Sequence, residues 1–135
     1  MGYDFVCYRG KNFGANDGIL EIWLYFIVKV MDSEPNPSEW LQELKNHWEA
    51  QYMYPIPGVV SVELDRFADT DFHRSEILRF CERAYLELIE IKILTREWRN
   101  ETRIGGESAS GYADLETEKI TQVGRQFMDL LQQSA

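Results

Sequence analysis

Between residues 71 and 100 the side chains of Ile77, Cys81, Ala84, Leu88, Ile91, Thr95 and Trp98 recur at alternating spacings of four and three. This spacing keeps one face of an α-helix continuous along its length, and a largely apolar face of that kind must be covered by other segments of the chain. Leu78, Tyr85 and Leu94 widen the stripe beyond a coiled-coil seam, while Arg79, Glu82, Arg83, Glu87 and Glu90 fall mostly off it. Asp69, Thr70 and Asp71 offer side chains that cap a helix start. The pattern predicts a long core helix from about Asp71 to Asn100.

Two further helices carry their own signals. Asn36-Pro37-Ser38-Glu39 reads as a start, with Asn36 as the cap, Pro37 in the first turn and Glu39 at the capping-box position. Trp40, Leu41, Leu44, Trp48 and Tyr52 then share one face as far as Pro55. Ile120, Val123, Phe127, Leu130 and Leu131 repeat with helical period from about Glu116 to Gln132. Gly124 weakens that helix by about 1 kcal/mol relative to alanine and marks a close helix contact. The glycine- and serine-rich stretch from Gly105 to Gly111 reads as a loop.

Ile19 to Met31 reads in two ways. As a helix, Glu21, Tyr25, Lys29 and Asp32 form a single polar stripe, Asn16-Asp17-Gly18 supplies a start and Asp32-Ser33-Glu34-Pro35 a stop. As a strand, Leu20, Ile22, Leu24, Phe26, Val28 and Val30 alternate, and the β-branched and aromatic content suits a sheet. Length and caps favour the helix. The expected fold is mainly α, a single domain over 1–135 built as a compact bundle of about four helices. The alternative is α+β, with a small antiparallel sheet from 4–9, 19–31 and 59–64.

Composition narrows the function. The 135 residues are 44% hydrophobic and 27% charged, enough for one domain with a core that needs no metal or disulfide staple. The formal net charge of -9 repels phosphate backbones, so nucleic acid is not expected as a partner. Met1-Gly2-Tyr3-Asp4-Phe5 lacks the basic and apolar regions of a signal peptide, and no small hydroxylated residue follows Gly2 as myristoylation requires. The apolar run of 19–31 is interrupted by Glu21 and Lys29 and falls short of the roughly 20 residues that span a bilayer. Cys7 and Cys81 have no metal-ligand spacing and are expected as reduced thiols. A cytoplasmic protein without a membrane segment is the expectation.

Catalytic motifs are absent: no phosphate-cradling glycine loop, nucleophile elbow or zinc-protease helix occurs. Glu43 and His47 lie four apart on the second helix, and Asp69, Asp71 and His73 cluster at a helix start, where capping and the helix dipole already account for the carboxylates. Cys7 has Arg9 nearby but no evident base, and Cys81 lies on the apolar stripe. The tryptophans at 23, 40, 48 and 98 sit in amphipathic segments and are expected in the core. No catalytic residue, metal or cofactor is therefore expected. The rivals are a small metal-dependent hydrolase using His47, His73 and nearby carboxylates, and a structural or homodimeric subunit.

Charge is distributed unevenly. Residues 1–65 carry ten acids and four bases, 66–103 carry eight of each, and 104–135 carry five acids and two bases. Gln51-Tyr52-Met53-Tyr54-Pro55-Ile56-Pro57-Gly58 sets aromatic and apolar side chains among prolines and leads into Glu63, Asp65, Asp69 and Asp71. Rigid aromatics beside carboxylates suit a surface for a basic protein partner, with Tyr52, Tyr54, Glu63, Asp65, Asp69 and Asp71 as the expected contacts.

The order Leu20-Glu21-Ile22-Trp23-Leu24-Tyr25-Phe26, then Trp40-Leu41 and His47-Trp48-Glu49, then Gly58-Val59-Val60-Ser61-Val62-Glu63-Leu64-Asp65, resembles small bacterial proteins of the polymorphic-toxin immunity type. The resemblance spans most of the chain and includes no motif with a chemical role. It implies a cytoplasmic antidote that binds a cognate toxin and performs no chemistry. Immunity proteins are diverse in fold, so no binding residue follows from the likeness.

Overall fold

The chain begins with a hairpin that the helical periodicities give no hint of. In the computed structural model, which describes residues 3–56, 59–105 and 113–133, β1 (Tyr3–Tyr8) pairs antiparallel with β2 (Lys11–Asn16) in a register that sets Tyr8 opposite Lys11. Arg9 and Gly10 form the two-residue turn, both with positive φ (50° and 81°), the geometry whose twist matches that of the flanking strands. Val6 and Tyr8 face the core, and Tyr3, Phe5 and Cys7 alternate with them on the outer face.

Asn16 ends β2 and its side chain accepts from the Ile19 N–H, capping α1 (Asp17–Met31). Every residue of α1 except Tyr25 and Lys29 is buried. The alternative strand over 19–31 is thereby overturned. A helix enclosed on nearly all sides needs apolar residues around its whole circumference, so the 3.6-residue period fades and an accidental alternation remains.

Three long helices surround α1: α2 (Glu39–Met53), α4 (Asp71–Ile91) and α6 (Glu118–Gln133), with α4 also packed on α6. Trp23 of α1 lies over Gly124 of α6, where a Cβ would stand 2.8 Å from the indole, so that glycine does mark a close helix contact. Trp23 and Trp48 are fully buried and both meet Phe127 edge-on, whereas Trp40 and Trp98 are only half-buried. α2 is capped by the Ser38 hydroxyl rather than by Asn36, which takes a left-handed φ of 51° ahead of Pro37.

The long helix anticipated to Asn100 stops at Ile91. Lys92 turns out of it with φ 68°, β3 (Ile93–Leu94) pairs antiparallel with β4 (Leu115–Glu116), and Thr95 caps a new helix, α5 (Arg96–Thr102), by accepting from the Trp98 N–H. The Thr95 hydroxyl engages backbone as a cap, and Ile91 lies exposed. With the single turn α3 (Leu64–Phe67), the described residues form six helices and two small two-stranded sheets. The chain is mainly helical; its four long helices lie where four were anticipated, but α4 ends nine residues early and α3 and α5 were not anticipated. No helix among the described residues is long and apolar enough to cross a membrane. The loop expected over 105–111 lies, beyond Gly105, outside the described residues.

At the start of α1, Asp17 and Glu21 are buried one turn apart. Burial pushes the Glu21 carboxyl up to about 7; the Asp17 carboxylate adds to the rise, and a hydrogen bond from the Gly105 backbone offsets part of it.

Candidate partner-binding surface

Residues 59–64, anticipated as a possible third strand, form no ladder with β1. Their backbone groups are claimed by side chains instead. From α2, Gln51 accepts from the Ser61 N–H at 2.8 Å, Trp48 donates to the Val62 carbonyl at 2.8 Å, and His47 Nε2 donates to the Ser61 carbonyl at 2.8 Å. From β1, the Asp4 carboxylate accepts from the Val60 N–H. Further along, Asp65 accepts from the Arg9 N–H at 2.9 Å. Asp4 with Val60 and Arg9 with Asp65 are both 56 residues apart, so β1 and the 60–65 segment run side by side in the same direction, tied at each end.

Between the two ties lies a cleft of about 400 Å³, walled by Phe5, Val6 and Cys7 on one side and by residues 60–66 on the other. Glu63 and Asp65 both line it. Glu63 has a left-handed backbone (φ 53°, ψ 51°), a conformation that costs a non-glycine residue about 1–2 kcal/mol. Its carboxylate meets His47 Nε2 at 2.7 Å and Arg66 at 3.8 Å, and Arg66 also reaches Glu43 while its guanidinium covers the Phe67 ring at 4.6 Å. The segment is thus held by α2, by β1 and by Arg66.

The remaining expected contacts separate into two groups. Asp69 and Asp71 lie beyond α3, at the start of α4, which Thr70 caps. Asp69 meets His73 Nδ1 at 2.6 Å, and that hydrogen bond holds its carboxyl below the usual range. The Asp71 side chain is 89% exposed despite a 3.3 Å approach of Arg74. Tyr54 stands 78% exposed. Tyr52 does not belong to the surface: it is 7% exposed, with its ring edge-on to Tyr25 at 5.5 Å, and burial pushes its hydroxyl pKa up. It occupies the face of α2 shared by Leu41, Leu44 and Trp48, so its place in the helix overrides its nearness to the proline loop.

Other apolar side chains join Tyr54. Met53 at the end of α2 and Ile56 and Val59 beyond it are exposed, and Tyr3 and Phe5 are exposed on the outer face of β1, their rings edge-to-face at 5.9 Å. The hairpin residues escape a helix-period search; the signal that finds them is the alternation of Tyr3, Phe5 and Cys7 with Asp4, Val6 and Tyr8 before the Arg9-Gly10 turn. Pro57 and Gly58 lie outside the described residues.

The candidate metal pairs are otherwise engaged. Glu43 faces Arg66 while His47 faces Ser61 and Glu63, and His73 is taken up by Asp69 and by the Trp40 ring. Among the described residues no three His, Cys, Asp or Glu side chains converge as metal ligands do. Cys7 is exposed and Cys81 is buried, where desolvation raises the thiol pKa. Compared with known protein families, curated proteins and solved structures, the chain matches none.

Proposed function

We propose that this chain is a non-catalytic binding protein that neutralises or regulates a basic protein partner in the cytoplasm. The observation that carries this reading is a cleft lined by Phe5, Glu63 and Asp65, with exposed Tyr3 edge-on to Phe5 and with exposed Tyr54 and Ile56 on the stretch of chain that leads to its Val60 wall. Large exposed apolar side chains next to one another are where binding energy concentrates, and carboxylates at their margin select a cationic surface. The net charge of -9 accelerates encounter with such a partner. Because residues 60–66 are already held by α2 and β1, docking orders few additional groups.

The resemblance to immunity proteins supports a more specific form of this proposal, in which the partner is a cognate toxin and the complex blocks it. The test is capture of partners from the native host at low and at physiological salt, using the wild-type chain and the variants Tyr54→Ala, Phe5→Ala and Asp71→Lys. Each replaces an exposed side chain, so the fold is retained. A partner of basic pI that is lost with the aromatic variants and weakened by Asp71→Lys supports the proposal. Equal capture by all four proteins refutes the surface assignment. Absence of any macromolecular partner, together with a small molecule that raises Tm, refutes the binding reading altogether.

A further inference from the structure

A second recess lies away from the cleft, between α4 and α6. Tyr85 and Ile89 of α4 and Lys92 just past its end recur at spacings of four and three, and Glu118, Thr121 and Arg125 of α6 at three and four, so each helix turns one face toward it. The space between them is about 530 Å³, a size at which pockets hold small ligands. The paired strands β3 and β4 close one end with Ile93 and Glu116. Because α4 runs into β3 and α6 runs out of β4, Lys92, Glu116 and Glu118 lie at the closed end and Tyr85 and Arg125 at the other.

The charges of this recess are left without partners. Among the described residues the side chains of Lys92, Glu116, Glu118 and Arg125 form no ion pair, whereas Arg74, Arg79 and Arg83 of α4 are all paired. Two anions against one cation leave the closed end of the lining negative, and Arg125 leaves the open end positive. A ligand of one charge sign is drawn to one end and repelled at the other, while a zwitterion suits both. Glu118 and Arg125 are seven residues apart on one helix, about 10 Å along its axis. Three residues of extended peptide span about the same distance. We propose that the recess binds a short peptide of about three residues with free termini, its ammonium at Glu116 and Glu118 and its carboxylate at Arg125. Tyr85, Ile89 and Ile93 supply apolar contact for the side chain between. The walls are set in advance, since the Lys92 carbonyl accepts from the Thr117 N–H at 2.9 Å and so joins the end of α4 to the start of α6.

The recess uses none of the residues proposed to meet a basic partner, so the two proposals stand or fall separately. The direct test is calorimetric titration of the full chain with the tripeptide Gly-Leu-Gly. Acetylating its amino end or amidating its carboxyl end should each weaken binding roughly tenfold or more, as should replacing it by free leucine, whose two charges are adjacent. Arg125→Ala should bind weakly and lose the distinction between the free and the amidated peptide while still rejecting the acetylated one. The double variant Glu116→Gln, Glu118→Gln should show the reverse. All three positions are exposed, so far-ultraviolet circular dichroism should be unchanged. Absence of binding by the tripeptide up to millimolar concentration overturns the proposal. So does binding that is indifferent to both blocked ends, or that survives Arg125→Ala undiminished.

Discussion

The imidazole of His73 lies flat on the indole of Trp40, ring centroids 4.0 Å apart and planes within 4°. The pair joins the first turn of α4 to the first turn of α2, and the same indole donates to the Phe67 carbonyl at the end of α3. His73 is aimed by Asp69, whose carboxylate holds its Nδ1–H.

Asp69 therefore makes a pH-dependent contribution. Its carboxyl titrates lower in the folded chain than its ordinary 3.8, because the hydrogen bond from His73 favours the ionised form. The unfolded chain binds the proton more readily, so this stabilisation is complete above pH 3.8 and is lost as pH falls through the folded value. Urea unfolding across the acid range should show a shallower decline for Asp69→Asn than for the wild type.

Glu21 works in the opposite sense. Its carboxyl is pushed up to about 7 from 4.5, so between those values the folded chain holds a proton that the unfolded chain has released. Stability should fall as pH rises through that window, by on the order of 3 kcal/mol, and level off above it. Glu21→Gln keeps an acceptor for the Gly105 N–H and removes the charge. Its unfolding free energy should be nearly flat over the same window.

The interrupted stripe of α4 predicts a contrast between two of its members. Leu88 is fully buried, and Leu88→Ala should cost about 2–5 kcal/mol. Ile91 is exposed at the end of the helix, and Ile91→Ala should change stability by less than about 0.5 kcal/mol. Chemical denaturation of both variants measures the difference directly.

Gly124→Ala sets helix propensity against packing. Alanine favours the helix by about 1 kcal/mol, but its Cβ would press into the Trp23 ring, and overpacking costs about 1–3 kcal/mol. A lowered Tm is expected. A raised one would mean that the indole yields without loss.

The long helices are legible in the sequence because caps and periodic apolar faces are local properties. The α4 stripe also shows where such reading fails. Thr95 and Trp98 continue the spacing in number only, and the Thr95 hydroxyl is better used as a cap after the Lys92 turn than as part of a helical face. Of the hairpin, β1 matches the strand that the α+β alternative set at 4–9, whereas β2 is hidden because Lys11-Asn12-Phe13-Gly14-Ala15-Asn16 has little apolar alternation and Arg9-Gly10 is not among the strongest turn pairs. At the candidate surface, Tyr54 and the carboxylates follow from composition beside a proline loop. Tyr52 does not, since its helical phase with Leu44 and Trp48 places it inside. The alignment of 60–65 beside β1 depends on contacts between residues some 56 positions apart, and no local pattern reports those.

Residues 60–62 are held in place by Gln51, Trp48, His47 and Asp4 gripping their main-chain atoms. None of these grips depends on which side chains the segment itself carries toward solvent. Substitutions on that outward side can therefore accumulate without slipping a register or unseating the segment.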